Sequence, residues 1–167
     1  MDESTLLKPA SAEIIADKSQ LLHAVVDFYR CRFERSGIEV ETRYGSDGHV
    51  PIFSGPLREV FANLLLNAQA ATPEGGRVHA RVCPAHEWSG KGRHGVRVTV
   101  ADNGSGIAAN LLPRIFQPFF TTKSAGHGMG LSLVKDIVQQ HEGSLRVRSS
   151  TKAGHSGTVF AIFLPAA

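Results

Sequence analysis

The stretch Val96-Arg97-Val98-Thr99-Val100-Ala101-Asp102-Asn103-Gly104-Ser105-Gly106-Ile107 decides how the rest of the chain is read. Its first residues alternate apolar and polar, as a half-buried strand does. The alternation stops at a carboxylate followed by two closely spaced glycines. A strand that ends this way presents a fixed acceptor, able to take a hydrogen bond from a base amino group, beside a backbone that a ligand can approach closely. The plainer alternative is a tight turn with Asp102 as its turn residue. Gly104, Gly106 and Ala109 also satisfy a GxGxxA dinucleotide fingerprint, but the acidic residue expected about 20 positions on is missing. Lys123-Ser124 stands there instead.

Outward from this stretch the pattern continues. Arg77 to Cys83 alternates likewise and reads as a paired strand, joined to Val96–Ala101 by a Gly/His/Lys loop from Pro84 to Gly95. Upstream, Ser54-Gly55-Pro56 opens a helix, with proline at the first helical position where its missing N–H costs nothing. Leu57, Val60, Phe61, Leu64, Ala68 and Ala71 form its apolar stripe, and Thr72-Pro73-Glu74-Gly75-Gly76 ends it. Earlier still, Leu22, Val25, Val26, Tyr29 and Phe33 recur at helical spacing, with Gly37 as a stop. Ile38 to Thr42 alternates as a strand, and Gly45-Ser46-Asp47-Gly48 is a turn. Downstream, Leu131 to Gln140 carries Leu131, Val134, Ile137 and Val138 as a helix, and Leu145–Val147 and Thr158–Leu164 are closing strands. About five strands among three main helices, with few βαβ crossovers, predict an α+β chain folded as a two-layer α/β sandwich. Residues 1–20 read as a lead-in and 21–167 as one domain.

The chain has 167 residues, 42% hydrophobic and 20% charged. That length suits one domain with its own core, domains clustering at roughly 100–150 residues. A net charge of +3 with no basic helix or Lys/Arg-rich block predicts no nucleic-acid partner. Cys31 and Cys83 supply neither a disulfide framework nor a CxxC zinc pair, a usage that a reducing cytosol permits. No run of about 20 apolar residues is present, and the start Met1-Asp2-Glu3-Ser4-Thr5 is no secretory signal. The expectation is a soluble, cytoplasmic chain.

Three segments can carry chemistry. On the helix over 57–71, Glu59, Asn63 and Asn67 lie four apart and share one face. Asparagine is a poor interior helix former. The pair is therefore either a solvated polar face or a source of hard amide oxygens suited to Mg²⁺. The second segment is Asp102 to Ile107. The third, Gly126-His127-Gly128-Met129-Gly130-Leu131, opens a helix, where free N–H groups and the dipole's positive end attract anions. Flexibility alone would explain its glycines but not the helix that begins at once. No P-loop, GxSxG elbow or HExxH occurs, and the eight histidines show no ligand spacing.

In this order, the segments resemble the ATP-binding catalytic domain of sensor histidine kinases, within the superfamily of gyrase-type ATPases and the heat-shock chaperone. Asn63-Leu64-Leu65-Leu66-Asn67-Ala68 is similar to the family's asparagine box, and 102–107 and 126–131 to its two glycine boxes. Ile115 to Lys123 (IFQPFFTTK) resembles the phenylalanine box between them, and Gly157 to Pro165 the closing strand. The fold implied is the Bergerat-type two-layer sandwich, with a mixed sheet, three helices on one face and a mobile ATP lid over 108–127.

By that resemblance, Asn67 is the Mg²⁺ ligand, Asp102 reads the adenine amino group with Thr158 supporting it through water, and Gly104 and Gly106 keep the base pocket open. Amides of Gly128, Gly130 and Leu131 cradle the phosphates. Ile107, Phe116, Phe120, Thr121, Thr122, Gly126, His127 and Met129 complete the nucleotide-binding set, Phe116 and Phe120 also anchoring the lid together with Phe119, and Lys123 reaches phosphate oxygens. Asn63, grouped with Asn67 and Lys123 as catalytic, stands where hydrolysing members carry a glutamate that activates water; an amide cannot act as a base. Ala70 replaces a residue often basic in the family, leaving Lys123, Arg114 or Lys135 to meet phosphate charge. The resemblance thus implies an enzyme: a histidine kinase catalytic fragment that binds Mg²⁺-ATP and donates the γ-phosphoryl group elsewhere. The acceptor is a histidine on a separate dimerisation domain, since His23, His86 (in a loop) and His141 (at a helix end) do not fit the part. A response regulator acts downstream, the parent protein is open to membrane anchoring, and the isolated domain is monomeric. An anti-sigma-factor-type serine kinase and a nucleotide-sensing interaction module are the alternative readings.

Overall fold

Each helix of the chain buries one stripe on a common sheet. The computed structural model describes residues 18–45, 54–88, 90, 92–123 and 126–166. Along these run α1 (Lys18–Arg35), β1 (Glu39–Tyr44), α2 (Ser54–Ala71), β2 (Arg77–His86), β3 (His94–Asp102), α3 (Gly130–Gln140), β4 (Ser144–Ser150) and β5 (Gly157–Pro165). Most of the lead-in over 1–20, the turn at 46–48 and lid residues 124–125 lie outside the described residues.

α1 ends as Gly37 predicts. Its φ of 63° lets Gly37 N–H reach the Glu34 carbonyl and Ile38 N–H the Phe33 carbonyl, both at 3.0 Å, the paired bonds of a Schellman cap. The five strands are ordered β1-β2-β3-β5-β4. β1 and β2 run parallel, bridged by α2 as a single βαβ unit, and the remaining pairs are antiparallel. This mixed sheet with three helices is the expected two-layer architecture.

Alternation sorts the strand residues onto two faces. The inner face buries Val78, Ala80 and Val82 of β2, Val96, Val98 and Val100 of β3, and Phe160, Ile162 and Leu164 of β5. These form one core with Leu22 and Val26 of α1, Phe61 and Leu65 of α2, and Val134 and Val138 of α3. All three helices therefore cover one face. On the other face, only Phe163 among the large apolar side chains of the described residues is fully buried, against Trp88.

The loop expected over 84–95 is shorter than its composition suggests. β2 continues to His86 and β3 begins at His94, so the two form one long hairpin. His86 is thus a strand residue, its ring 4.2 Å from that of His94. Pro84 is tolerated because β1 stops pairing at Val82, so the missing N–H falls where β2 has a single neighbour. No helix among the described residues is long and apolar enough to cross a membrane.

Candidate functional site

The C-terminal half of α2, the N-terminus of α3 and the carboxyl end of β3, beside the start of β5, gather around one corner of the molecule. Asn67 lies on α2, half-buried, and its Oδ1 accepts a hydrogen bond of 2.9 Å from Lys123 Nζ. One turn earlier, Asn63 Nδ2 donates to the Glu59 carbonyl at 2.9 Å, and Asn63 Oδ1 abuts the Gly130 backbone so closely that a Cβ there would collide with it. The asparagine face of α2 therefore meets both the start of α3 and the end of the lid.

Asp102 closes β3. Its Oδ1 accepts the N–H of Gly104 at 2.9 Å and, across the sheet, that of Thr158 at 3.3 Å. Burial pushes the carboxyl above its ordinary range, against the opposing pull of those two N–H groups and of the Lys123 ammonium. Lys123 is in turn pulled below its ordinary value by desolvation, with Asp102 resisting. Lys123 thus links three separate segments, by a hydrogen bond to Asn67 and by charge to Asp102.

The first glycine pair is held by backbone contacts that no side chain would allow. Gly104 sits on the Ala71 carbonyl, and Gly106, at φ 73°, on that of Ser150. Next to them, Ile107 N–H donates to Ser149 Oγ at 2.8 Å. Ser149 Oγ lies 2.9 Å from Thr158 Oγ1 and donates to the Gly157 carbonyl at 2.9 Å. Thr158 therefore reaches Asp102 directly, through its main chain, while its buried hydroxyl is engaged by Ser149. Ser149 was not singled out in the sequence, because a serine in a short strand carries no pattern of its own.

The second glycine group opens α3. Gly128, at φ 68°, packs on the main chain of Phe119 and Phe120. Met129, half-exposed, is the N-cap residue and makes no side-chain cap bond. The first amides of the helix, at Gly130 and Leu131, thus have no intrahelical or capping partner among the described residues. His127, Thr121, Thr122 and Lys123, which precede the helix in the chain, are exposed. Thr121 Oγ1 accepts the Lys123 N–H at 3.0 Å and stands against Gly126.

The lid segment corrects one expectation. Phe116 and Phe120 pack on the core and Arg114 stacks over Phe120 at 4.6 Å, but Phe119 is 74% exposed with φ 63° and anchors nothing. The buried anchor is Ile115, with Leu112 beside it. A left-handed residue after Pro118 turns its side chain outward, which the phenylalanine count alone does not reveal. The three histidines judged unfit as acceptors are all engaged: His23 with Asp27 at 3.0 Å, His86 against His94, and His141 Nδ1 with the Ile137 carbonyl at 2.8 Å.

This fold, with an unpartnered helix N-terminus, a buried carboxylate and an asparagine face converging, defines a Bergerat-type nucleotide-binding domain. The chain belongs to the family of histidine kinase-, DNA gyrase B- and HSP90-like ATPases, which it matches over residues 54–167. It is the catalytic domain of the histidine kinase branch. It is 38% identical over 130 residues to the sensor histidine kinase ZraS of Escherichia coli strain K12, covering 76% of this chain and 26% of ZraS. Its fold is similar to that of the mycobacterial sensor histidine kinase MprB, with a TM-score of 0.77 at 30% identity over 90% of this chain and 96% of that one. It is also similar to full-length ShkA in complex with AMPPNP, with a TM-score of 0.74 at 27% identity, covering 94% of this chain and 32% of ShkA. The chain spans about a fifth to a quarter of the length of the curated relatives it matches.

Proposed function

We propose that the chain binds Mg²⁺-ATP at this corner and donates the γ-phosphoryl group to a histidine on a separate dimerisation domain of a longer kinase whose catalytic part is cytoplasmic. A response regulator would receive the group next. The observation that carries the reading is the meeting of Asn67, Asp102 and Lys123 at the open N-terminus of α3.

The residues fit a metal-bound triphosphate. The Asn67 amide oxygen already faces a cation, the Lys123 ammonium at 2.9 Å, and so is oriented for positive charge. In that site Asn67 would hold Mg²⁺, which when bound draws negative charge from the phosphate oxygens. The free amides of Gly130 and Leu131, with Gly128 kept open beside them, would receive phosphate oxygens. Lys123 would exchange Asn67 for a phosphate oxygen. Asp102, pinned by Gly104 and Thr158, would accept the adenine amino group. Asn63 offers no base, so water at the γ-phosphoryl group is not activated and the group is preserved for its acceptor.

Asn67→Ala is expected to lower Mg²⁺-ATP affinity at least about tenfold, the loss of one charge-assisted contact, and to suppress transfer to a histidine hairpin supplied in trans. Calorimetry with and without Mg²⁺, together with acid-labile labelling of the hairpin, measures both. Unchanged affinity would remove the metal role of Asn67. Acid-stable label on serine, or tight binding without any label, would replace histidine transfer by one of the two alternative functions.

A further inference from the structure

The sheet's outer face, turned away from the helices, is walled by arginines. Arg81 on β2 and Arg146 on β4 stand in one cross-strand row, separated by Thr99 of β3 and Ala161 of β5. One step along, Arg148 faces Val159; one step the other way, Arg97 pairs with Phe163. All four arginines are exposed, and none makes an ion pair with any described residue. The acids of this face, Glu39 and Glu41, lie on the far strand β1, engaged by Arg77 and His79.

Between these walls the floor is low. Thr99, Ala101, Ala161 and Val159 are small, and Val159 is 37% exposed, unusual for a strand valine. Three strand spacings separate the walls, about 14 Å, leaving a trough of about 400 Å³. Trp88 closes one end, with the Arg146 guanidinium over its ring at 4.8 Å and Phe163 beneath.

We propose that this trough docks an amphipathic helix of a partner protein, its apolar stripe on Val159 and Ala161 and its glutamate or aspartate flanks against Arg81, Arg97, Arg146 and Arg148. An α-helix with side chains is about 10–12 Å across, comparable with the roughly 14 Å between the backbones of the two wall strands, so a helix lying over the floor brings its flanks to the arginines on either side. Guanidinia without an ion-pair partner bind carboxylates bidentately, Arg146 giving up its 3.3 Å bond to the Trp88 carbonyl, while the small floor takes a nonpolar face. A second copy of the chain is excluded by charge, since this face against itself sets arginine on arginine. A flat anionic membrane would touch the walls and miss the floor. Stacked nucleobases need open aromatic faces, and here Trp88 lies under Arg146 and Phe163 is buried.

Trp88 is the chain's single tryptophan, so its fluorescence reads this face alone. The whole chain is titrated with a synthetic helical peptide of about 15 residues, long enough to hold helix, with glutamates flanking an alanine/leucine stripe. The expected result is a saturable Trp88 change that weakens with salt, disappears when lysines replace the glutamates, and weakens at least about tenfold in Arg81→Glu and Arg146→Glu. Arg81→Gln and Arg146→Gln, with melting curves like the parent's, should bind at an intermediate level, separating docking from folding. Nucleotide affinity should be unchanged throughout. No Trp88 response, equal response to the lysine peptide, undiminished binding by the glutamate variants, or displacement of the peptide by phosphatidylglycerol vesicles or a single-stranded oligonucleotide at lower concentration would each overturn the proposal.

Discussion

Asp102 is held by two backbone N–H groups that an amide oxygen could accept equally well, yet burial keeps its carboxyl above the ordinary range. A carboxyl with a raised folded pKa contributes stability that is fully present below its unfolded value, about 3.9, and is lost as the pH rises through the folded one. Asp102→Asn should therefore melt at or above the parent temperature at pH 7, with the difference closing below about pH 4. ATP affinity should move the other way. The amide's oxygen stays with Gly104 and Thr158, so its NH₂ confronts the adenine amino group, donor to donor. The charge-assisted bond lost is about 1.5–3 kcal/mol, or roughly ten- to a hundredfold in affinity. Melting curves across pH with calorimetric titration of ATP measure both trends, and an unaltered affinity would end the adenine assignment. At this scale the sequence was most legible where a residue's chemistry is unusual for its place: an acid closing a strand, asparagines in a helix. It was silent where an ordinary residue acts through its neighbours, as Ser149 does between Ile107, Thr158 and Gly157.

Two helices end in the same way but with different residues. α1 turns off at Gly37, while α3 turns off at Glu142, whose φ is 53° and whose N–H reaches the Gln139 carbonyl as Gly143 N–H reaches that of Val138, both at 2.9 Å. The left-handed backbone costs a side chain roughly 1–2 kcal/mol and a glycine almost nothing. The Glu142 carboxylate gives little in return, lying 3.5 Å from Arg93 with its side chain 82% exposed. Glu142→Gly should stabilise by about 1 kcal/mol, raising the melting temperature by about 2–4 °C, and an unchanged or lower value would show that the Arg93 contact outweighs the backbone relief. The contrast explains why Gly37 announced its stop, whereas the end of α3 was legible only as the end of an apolar stripe. It also explains the hairpin: Pro84 and the Gly/His/Lys residues read as loop, but Pro84 sits where its missing N–H costs no ladder bond.

Across the whole molecule, the apolar periodicities carried the layers, because one buried stripe per helix and one buried face per strand leave a single way to cover the core. They could not carry the contacts between layers. The bond of Lys123 to Asn67 spans 56 positions, and the burial of Ile115 rather than Phe119 depends on a single left-handed turn. That same segment shows how stability is distributed. Between Ala108 and Lys123 the backbone is stitched by isolated turns, Leu111 to Ala108, Arg114 to Leu111, Gln117 to Arg114 and Phe120 to Gln117, whereas β2 and β3 share a continuous ladder. Ile115, Phe116 and Phe120 attach the segment by side chains, which restrains it without protecting most of its amides. Without nucleotide, hydrogen exchange over 108–123 should be at least about a hundredfold faster than in β2 and β3. Mg²⁺-ATP should slow it there selectively, as Lys123 and the α3 amides close on phosphate. Protection equal to the sheet's in the free protein would mean that Ile115 holds the segment shut by itself, leaving the nucleotide nothing to order.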